Sequence, residues 1–390
     1  MPVRLESAAL RTSAGDPKQA QQALAGFGAD FLRLTEAATA NTVISPYSLY
    51  TVLAMARAGA MNDTAAQLDA ALRLDGSAQG PAITAIDSGI NQVREAAKWG
   101  SSQLVIEAAN ETWVQNGLEI QQKYLDQLAR EFGVSAVSAD FLGNPEGMRA
   151  EINNWVSDRT NALIPELFPE GSITGDSQLV LVNALYLKAA WGSPFHSSAP
   201  TAFHLLDGGT VQTPMMAAPL QVGGATGDGW SAATIHYDPS SLSMTVLIPE
   251  SDNFGTVLTA LDAELIGQAS ATNVPFELTM PPFKITSAPD AKQVVEQLGV
   301  VDVFRGGTAD LSGIAGDPGW LFASSFVHQA TISVDENGTE AAAATGMGMA
   351  GAAAPAPATE LVVDRPFLFW ISEALTGSPL FLGTVTNPAD

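Results

Sequence analysis

Between Val334 and Pro366 the chain passes from Val334-Asp335-Glu336-Asn337-Gly338-Thr339-Glu340 through Ala341-Ala342-Ala343-Ala344-Thr345 into a tract of Gly, Met, Ala and Pro. Two apolar runs follow, Pro366-Phe367-Leu368-Phe369-Trp370-Ile371 and Pro379-Leu380-Phe381-Leu382-Gly383-Thr384-Val385. About thirty residues cannot build a core of their own, so these runs must be strands completing a core begun upstream. Taken by composition alone the tract would read as a flexible linker, but its position makes it an internal loop. Thr345-Gly346-Met347-Gly348-Met349 alternates side chain with no side chain, the period of one strand face. Carried backward, the phase adds Ala343, Ala341 and Thr339, and puts Glu340 on the opposite face. Yet the alanines, the glycines, Pro355 and Pro357 give poor strand propensity, so on its own the segment should be an exposed loop. It suits either state.

The length of 390 residues would allow two or three domains, but no Pro/Ser/Gly linker or composition break precedes the loop. A single domain over 1–390 is expected. Hydrophobic residues make up 46% of the chain, enough for a substantial core. No apolar run is long enough to span a bilayer, and no basic segment followed by an apolar one marks an export signal. There is no cysteine, hence no disulfide, thiolate metal site or cysteine nucleophile. The net charge is −24, with 17 Lys and Arg against 41 Asp and Glu, and no basic run offers a local exception. Nucleic acid and heparin-like partners are not expected.

Asp16-Pro17 predicts an N-cap with proline at the first helical position, followed by Leu24, Phe27, Phe31 and Leu34 at helical spacing. Asn144-Pro145 predicts a second helix, with Met148, Ile152, Trp155 and Val156 on one face, ending before Pro165. Leu179 to Leu187 is apolar on both faces and should be a strand covered on both sides, in which Asn183 needs buried partners. Met244 to Ile248 and Phe276 to Met280 read as further strands. Helices gather in the first half and strands in the second, an α+β layout. No Walker A loop, dinucleotide fingerprint, HExxH pair or Gly-x-Ser-x-Gly elbow is present. His196, His204, His236 and His328 are scattered, and no carboxylate pair stands out. Neither metal, cofactor nor catalytic residues are expected.

Several blocks, in order, resemble a serpin from about Phe31 to Pro388. They include Asn41 to Leu49 with Gly59-Ala60 and Thr64 to Leu68, Ile152 to Val156 with Thr160 and Ile164, and Leu179 to Lys188 with Trp191 and Phe195. Asp302-Val303-Phe304, Ala309 to Ile314, Val327 to Ala330, Pro366-Phe367 and Ser378 to Gly383 complete the match. The resemblance implies a large central mixed β-sheet with further sheets, about eight to nine helices and an exposed reactive centre loop over about 336–362. It also implies a suicide inhibitor of serine proteases, not an enzyme, whose cleaved loop inserts into the central sheet. By the family pattern the hinge is Glu336, Gly338, Thr339, Glu340, Ala341, Ala342, Ala343, Ala344 and Thr345, with Glu340 left in water. The reactive bond falls at Ala352-Ala353, within a range from Met349 to Ala354. A methyl group at Ala352 suits a shallow pocket, as in elastase-like or subtilisin-like proteases. Cleavage at Met349 would suit a chymotrypsin-like one. Ser45, Ser48, Asn183 and His328 match the family's shutter, and Trp191 and Glu336 its breach. Pro282 stands where many members carry the lysine that partners the breach glutamate, which puts that ion pair in doubt.

The alternative is a non-inhibitory serpin acting as a binding, carrier or chaperone protein. Such members often carry a charged or bulky hinge residue, whereas this hinge is small and uncharged on its buried phase. A monomer is expected. Asn337-Gly338-Thr339 is also a glycosylation sequon, and a glycan there would obstruct insertion. With no export signal and no cysteine, this favours a cytoplasmic setting over an extracellular one reached by loss of a leader.

Overall fold

The computed structural model describes residues 2–98, 104–251, 253–340 and 358–390. Three helices open by one device. Asp16, Ser45 and Asn144 each precede a proline, and each side chain accepts a first-turn N–H, from Lys18 at 3.0 Å, Ser48 at 3.2 Å and Gly147 at 3.2 Å. The cap satisfies an orphan donor, and proline brings a fixed φ where its missing N–H costs nothing. The helices that follow are Pro17–Arg33, Pro46–Gly59 and Pro145–Arg159. In the first, Leu24, Phe27 and Phe31 are buried as their spacing predicts. Leu34 is not part of that stripe: it is the C-cap residue, outside helical geometry, and is 39% exposed.

Nine α-helices and two sheets are present among the described residues, the α+β layout read from the sequence. The first sheet is mixed and runs in space Val3–Leu5, Ala136–Ala139, Val105–Gln115, Leu179–Ala190, Gly338–Thr339, Ala330–Asp335, Phe283–Ser287, with Ala323–Ser325 pairing in parallel beside Leu179 and Val180. In the second sheet, Phe367–Glu373 and Pro379–Val385 lie between Leu242–Pro249 and Thr42–Ile44. Every residue of these two strands is buried, so the runs after the loop do complete a core assembled upstream.

Leu179–Ala190 divides the core by parity. Leu179, Leu181, Leu185, Leu187 and Ala189 join the main core between the sheets. Val180, Val182 and Ala184 join a second cluster with Trp113 and with Ile152 and Val156 of the helix Pro145–Arg159, which covers the outer face. That two-sided burial is why the run lacks polar alternation. Pro46–Gly59, buried from Pro46 to Ala56, packs against both Leu179–Ala190 and Pro379–Val385.

Candidate functional site

The described ends of the long loop enter different sheets. Thr359–Val362 pairs in parallel with Phe276 to Thr279 in the second sheet. Gly338–Thr339 lies in the first, antiparallel to both neighbours: Thr339 stands opposite Ala189 on one side and Val334 on the other, and Gly338 opposite Ala190 and Asp335. Gly338 has φ +150°, and a Cβ there would stand 2.1 Å from the Ala189 carbonyl oxygen, so glycine is required at this close approach. Thr339 shares the face of Ala189 and is 2% exposed, its hydroxyl 2.7 Å from that of Tyr237.

At Glu340 the chain turns away. Its φ is +52°, in the left-handed region, while its N–H still donates to Ser333 at 3.0 Å. In this uncleaved chain its carboxylate is half-buried, hydrogen-bonded with Tyr186 and near Lys284 and Lys188. Burial raises its pKa, and the Tyr186 hydrogen bond and the two lysines oppose the rise. The even-numbered face of Leu179–Ala190, which carries Tyr186 and Lys188, lies partly under protein rather than in open solvent. Parity alone could have flagged these two residues in the sequence. Nothing there singles out Tyr237.

Trp191 bonds the residues on either side of Glu336. The Trp191 N–H donates to the Asn337 carbonyl at 2.8 Å and its indole N–H to the Asp335 carbonyl at 2.9 Å. Its ring stacks on Tyr237 with centroids 4.3 Å apart. The Glu336 carbonyl accepts from Phe195 N–H at 2.8 Å, and its carboxylate accepts from the Ser197 hydroxyl at 3.0 Å. No lysine is paired with it among the described residues. The hinge entry is held by backbone and aromatic contacts, which fits proline at 282.

Ser45 and His328 also meet. The Ser45 N–H donates to His328 Nε2 at 3.1 Å, and the Ser45 hydroxyl donates to the Leu380 carbonyl at 2.8 Å. His328 is 3% exposed, and burial pushes its pKa down to about 3. The ring is therefore neutral, with Nε2 as acceptor. Ser48 joins this network through its N–H, which donates to the Ser45 hydroxyl at 3.2 Å, while its own buried Oγ has no hydrogen-bond partner among the described residues. The Asn183 side chain lies outside the described residues, as do hinge residues Ala341 to Thr345 and the Ala352-Ala353 bond. Among the described residues no three His, Asp or Glu side chains converge as metal ligands.

A family model described as serpin, serine protease inhibitor, matches residues 22–388. A serine protease inhibitor of Cyanea capillata is 33% identical over 359 residues, covering 90% of this chain and 93% of its own. A leukocyte elastase inhibitor of Bos taurus is 31% identical over 372 residues, covering 92% and 96%. Among solved structures, Serpin48 of the insect Tenebrio molitor, described as a highly specific serpin, superposes with TM-score 0.79 at 26% identity, covering 95% of this chain and 98% of its own.

Proposed function

The chain belongs to the serpin family, and on that footing we propose that it is a monomeric suicide inhibitor of serine proteases with shallow specificity pockets. The observation that carries this reading is the hinge, whose Gly338 and Thr339 already stand in register between two strands of the first sheet. A target serine attacks the Ala352 carbonyl, the bond to Ala353 breaks with a proton delivered to its nitrogen, and Ala352 remains as the acyl group on the protease. Loop insertion is the family's known device rather than a deduction from these residues. The register is what this chain adds.

Continued from Thr339 after cleavage, that register would set Ala341, Ala343, Thr345 and Met347 opposite Leu187, Leu185, Asn183 and Leu181, on the side of the main core. It would set Ala342, Ala344, Gly346 and Gly348 opposite Tyr186, Ala184, Val182 and Val180. These four would pass beneath the helix Pro145–Arg159, whose underside is filled by Trp113, Ile152 and Val156. Small residues on that face keep the passage open, so insertion can outrun hydrolysis of the acyl-enzyme. Displacement of the protease then removes its triad and oxyanion donors from productive geometry.

The test is to mix the protein in turn with pancreatic elastase, subtilisin, chymotrypsin and trypsin, and to identify the C-terminal peptide by mass spectrometry. The expected result is a detergent-stable complex with the first two and a new terminus at Ala353. Cleavage with the protease left active would favour a binding, carrier or chaperone role instead.

A further inference from the structure

Residues 2–15 precede the family match, which begins at residue 22, yet they are tied into the molecule at several points. Val3–Leu5 adds an edge strand to Ala136–Ala139. Arg4 crosses to the strand Val105–Gln115 and pairs with both oxygens of Glu111, at 2.7 and 3.3 Å, and with Ser135 at 2.8 Å. Glu111 is buried. Farther on, Ser7 donates to Asp126 at 2.6 Å and Thr12 N–H to the Arg130 carbonyl at 2.7 Å. Arg11 then reaches the helix Gly76–Ala97, donating to Asp87 at 2.6 Å and Thr84 at 3.1 Å, and Gly15 N–H donates to the Pro81 carbonyl at 2.9 Å. Asp87 also accepts the Tyr47 hydroxyl, at 2.6 Å, from the central helix Pro46–Gly59. A pocket of about 820 Å³, lined by Arg4, Arg11, Tyr47, Asp87 and Glu111 among others, lies under this segment.

A strand entering between Leu179–Ala190 and Ala330–Asp335 must widen the first sheet by one strand spacing, about 4.8 Å. One half of that sheet is fastened to the second sheet, because Ser287 exchanges two 2.7 Å hydrogen bonds with Val43. In the other half, Val105–Gln115 and Ala136–Ala139 pair with no strand of the second sheet among the described residues, so insertion would shift them over the helices. The N-terminal segment bridges that half to the helices beneath. We infer that residues 2–15 are a detachable clamp, in which Arg4–Glu111 and Arg11–Asp87 hold the sliding half of the sheet against the helical layer and set the rate at which the sheet opens for the loop. Each pair, when it parts, leaves a desolvated carboxylate without its hydrogen-bonded cation, with only the field of Arg159 on Glu111 and of Arg94 on Asp87 remaining, and burial already raises the pKa of both. Leu10 is 87% exposed between the two arginines, so cutting the chain there would uncouple the anchors.

The clamp presupposes the loop insertion proposed above, and the experiment separates the two. Uncleaved protein is incubated at elevated temperature without protease, and the fraction that becomes resistant to urea is followed over time on gradient gels. Loop-cleaved wild type is the reference for the inserted form. Arg4→Gln/Arg11→Gln should convert about tenfold faster than wild type, since even part of a lost buried pair felt at the barrier has that effect. Arg57→Gln is the control: Arg57 pairs bidentately with Asp69 at 2.7 Å between two helices and does not cross to the sheet. It should lower urea stability without speeding conversion. If the double variant does not fold, Arg11→Gln alone carries the same prediction. Conversion no faster than wild type, or equally fast in Arg57→Gln, overturns the clamp. Loop-cleaved wild type that never becomes urea-resistant overturns the insertion reading instead, and the clamp with it.

Discussion

His328 and Thr339 each have one buried hydrogen bond that decides how they behave. His328 accepts from Ser45 N–H, so a proton on Nε2 would set donor against donor. Its pKa is about 3 in the fold against 6.5 free. The unfolded chain therefore binds the proton first, and the stability of the neutral ring is complete above pH 6.5 and lost as pH falls from there toward 3. The unfolding free energy of wild type, measured by urea titration, should drop more steeply between these pH values than that of His328→Gln, by up to about 1.4 kcal/mol per pH unit. Parallel slopes would remove His328 as the titrating group. Thr339 is filled in on all sides and bonded to Tyr237. Thr339→Arg would need to seat a guanidinium in that buried position beside Tyr237. It should be cleaved at the wild-type rate yet leave the protease active, because burying an unpaired charge slows insertion behind hydrolysis. Undiminished inhibition by this variant would disprove the seating of Thr339 as the first inserted step. The sequence showed Thr339 as an inward residue, since parity needs no partner. It could not show Tyr237, a contact made across two sheets.

At the level of elements, what the sequence displayed was what local chemistry decides. The helices Pro17–Arg33 and Pro145–Arg159 carry a cap and a proline, and Leu179–Ala190 carries its long apolar run. Val3–Leu5 and His196–His204 carry no such mark. The first is three residues long and the second is mostly exposed, with Ser197, Ser198 and Pro200 in it, so both are strands only because a neighbour offers an edge. The clamp stayed invisible for the same reason. The helix over the outer face makes a further prediction. Gly348→Leu would press into the cluster of Trp113, Ile152 and Val156 on insertion, an overpacking of about 1–3 kcal/mol. It should raise several-fold the number of inhibitor molecules consumed per protease trapped, while the cleavage rate holds. Met347→Leu, on the opposite face, should change little. Equal effects from both would mean that the register does not continue past Thr339.

On the scale of the whole molecule, the proposed insertion makes the chain's own loop one more strand of the first sheet, beside Leu179–Ala190. Cleavage near Ala352 should therefore raise the unfolding temperature, as the inserted strand satisfies backbone groups along Leu179–Ala190 and adds Ala341, Ala343 and Met347 to the core. Differential scanning calorimetry before and after subtilisin treatment would show this, and an unchanged or lower transition would not be compatible with insertion. The anchoring of the loop at both ends has another effect. Everything after Thr359 is woven into the second sheet, with Phe367–Glu373 and Pro379–Val385 between strands that come from residues 42–44 and 242–249. A molecule cut in the loop is thus two polypeptides sharing one interior. Covalent continuity and structural integrity come apart: the severed protein keeps its mass in solution and both of its pieces, and any method that leaves weak contacts intact will count it as whole. A preparation can in this way be chemically homogeneous by size and yet consist of spent molecules.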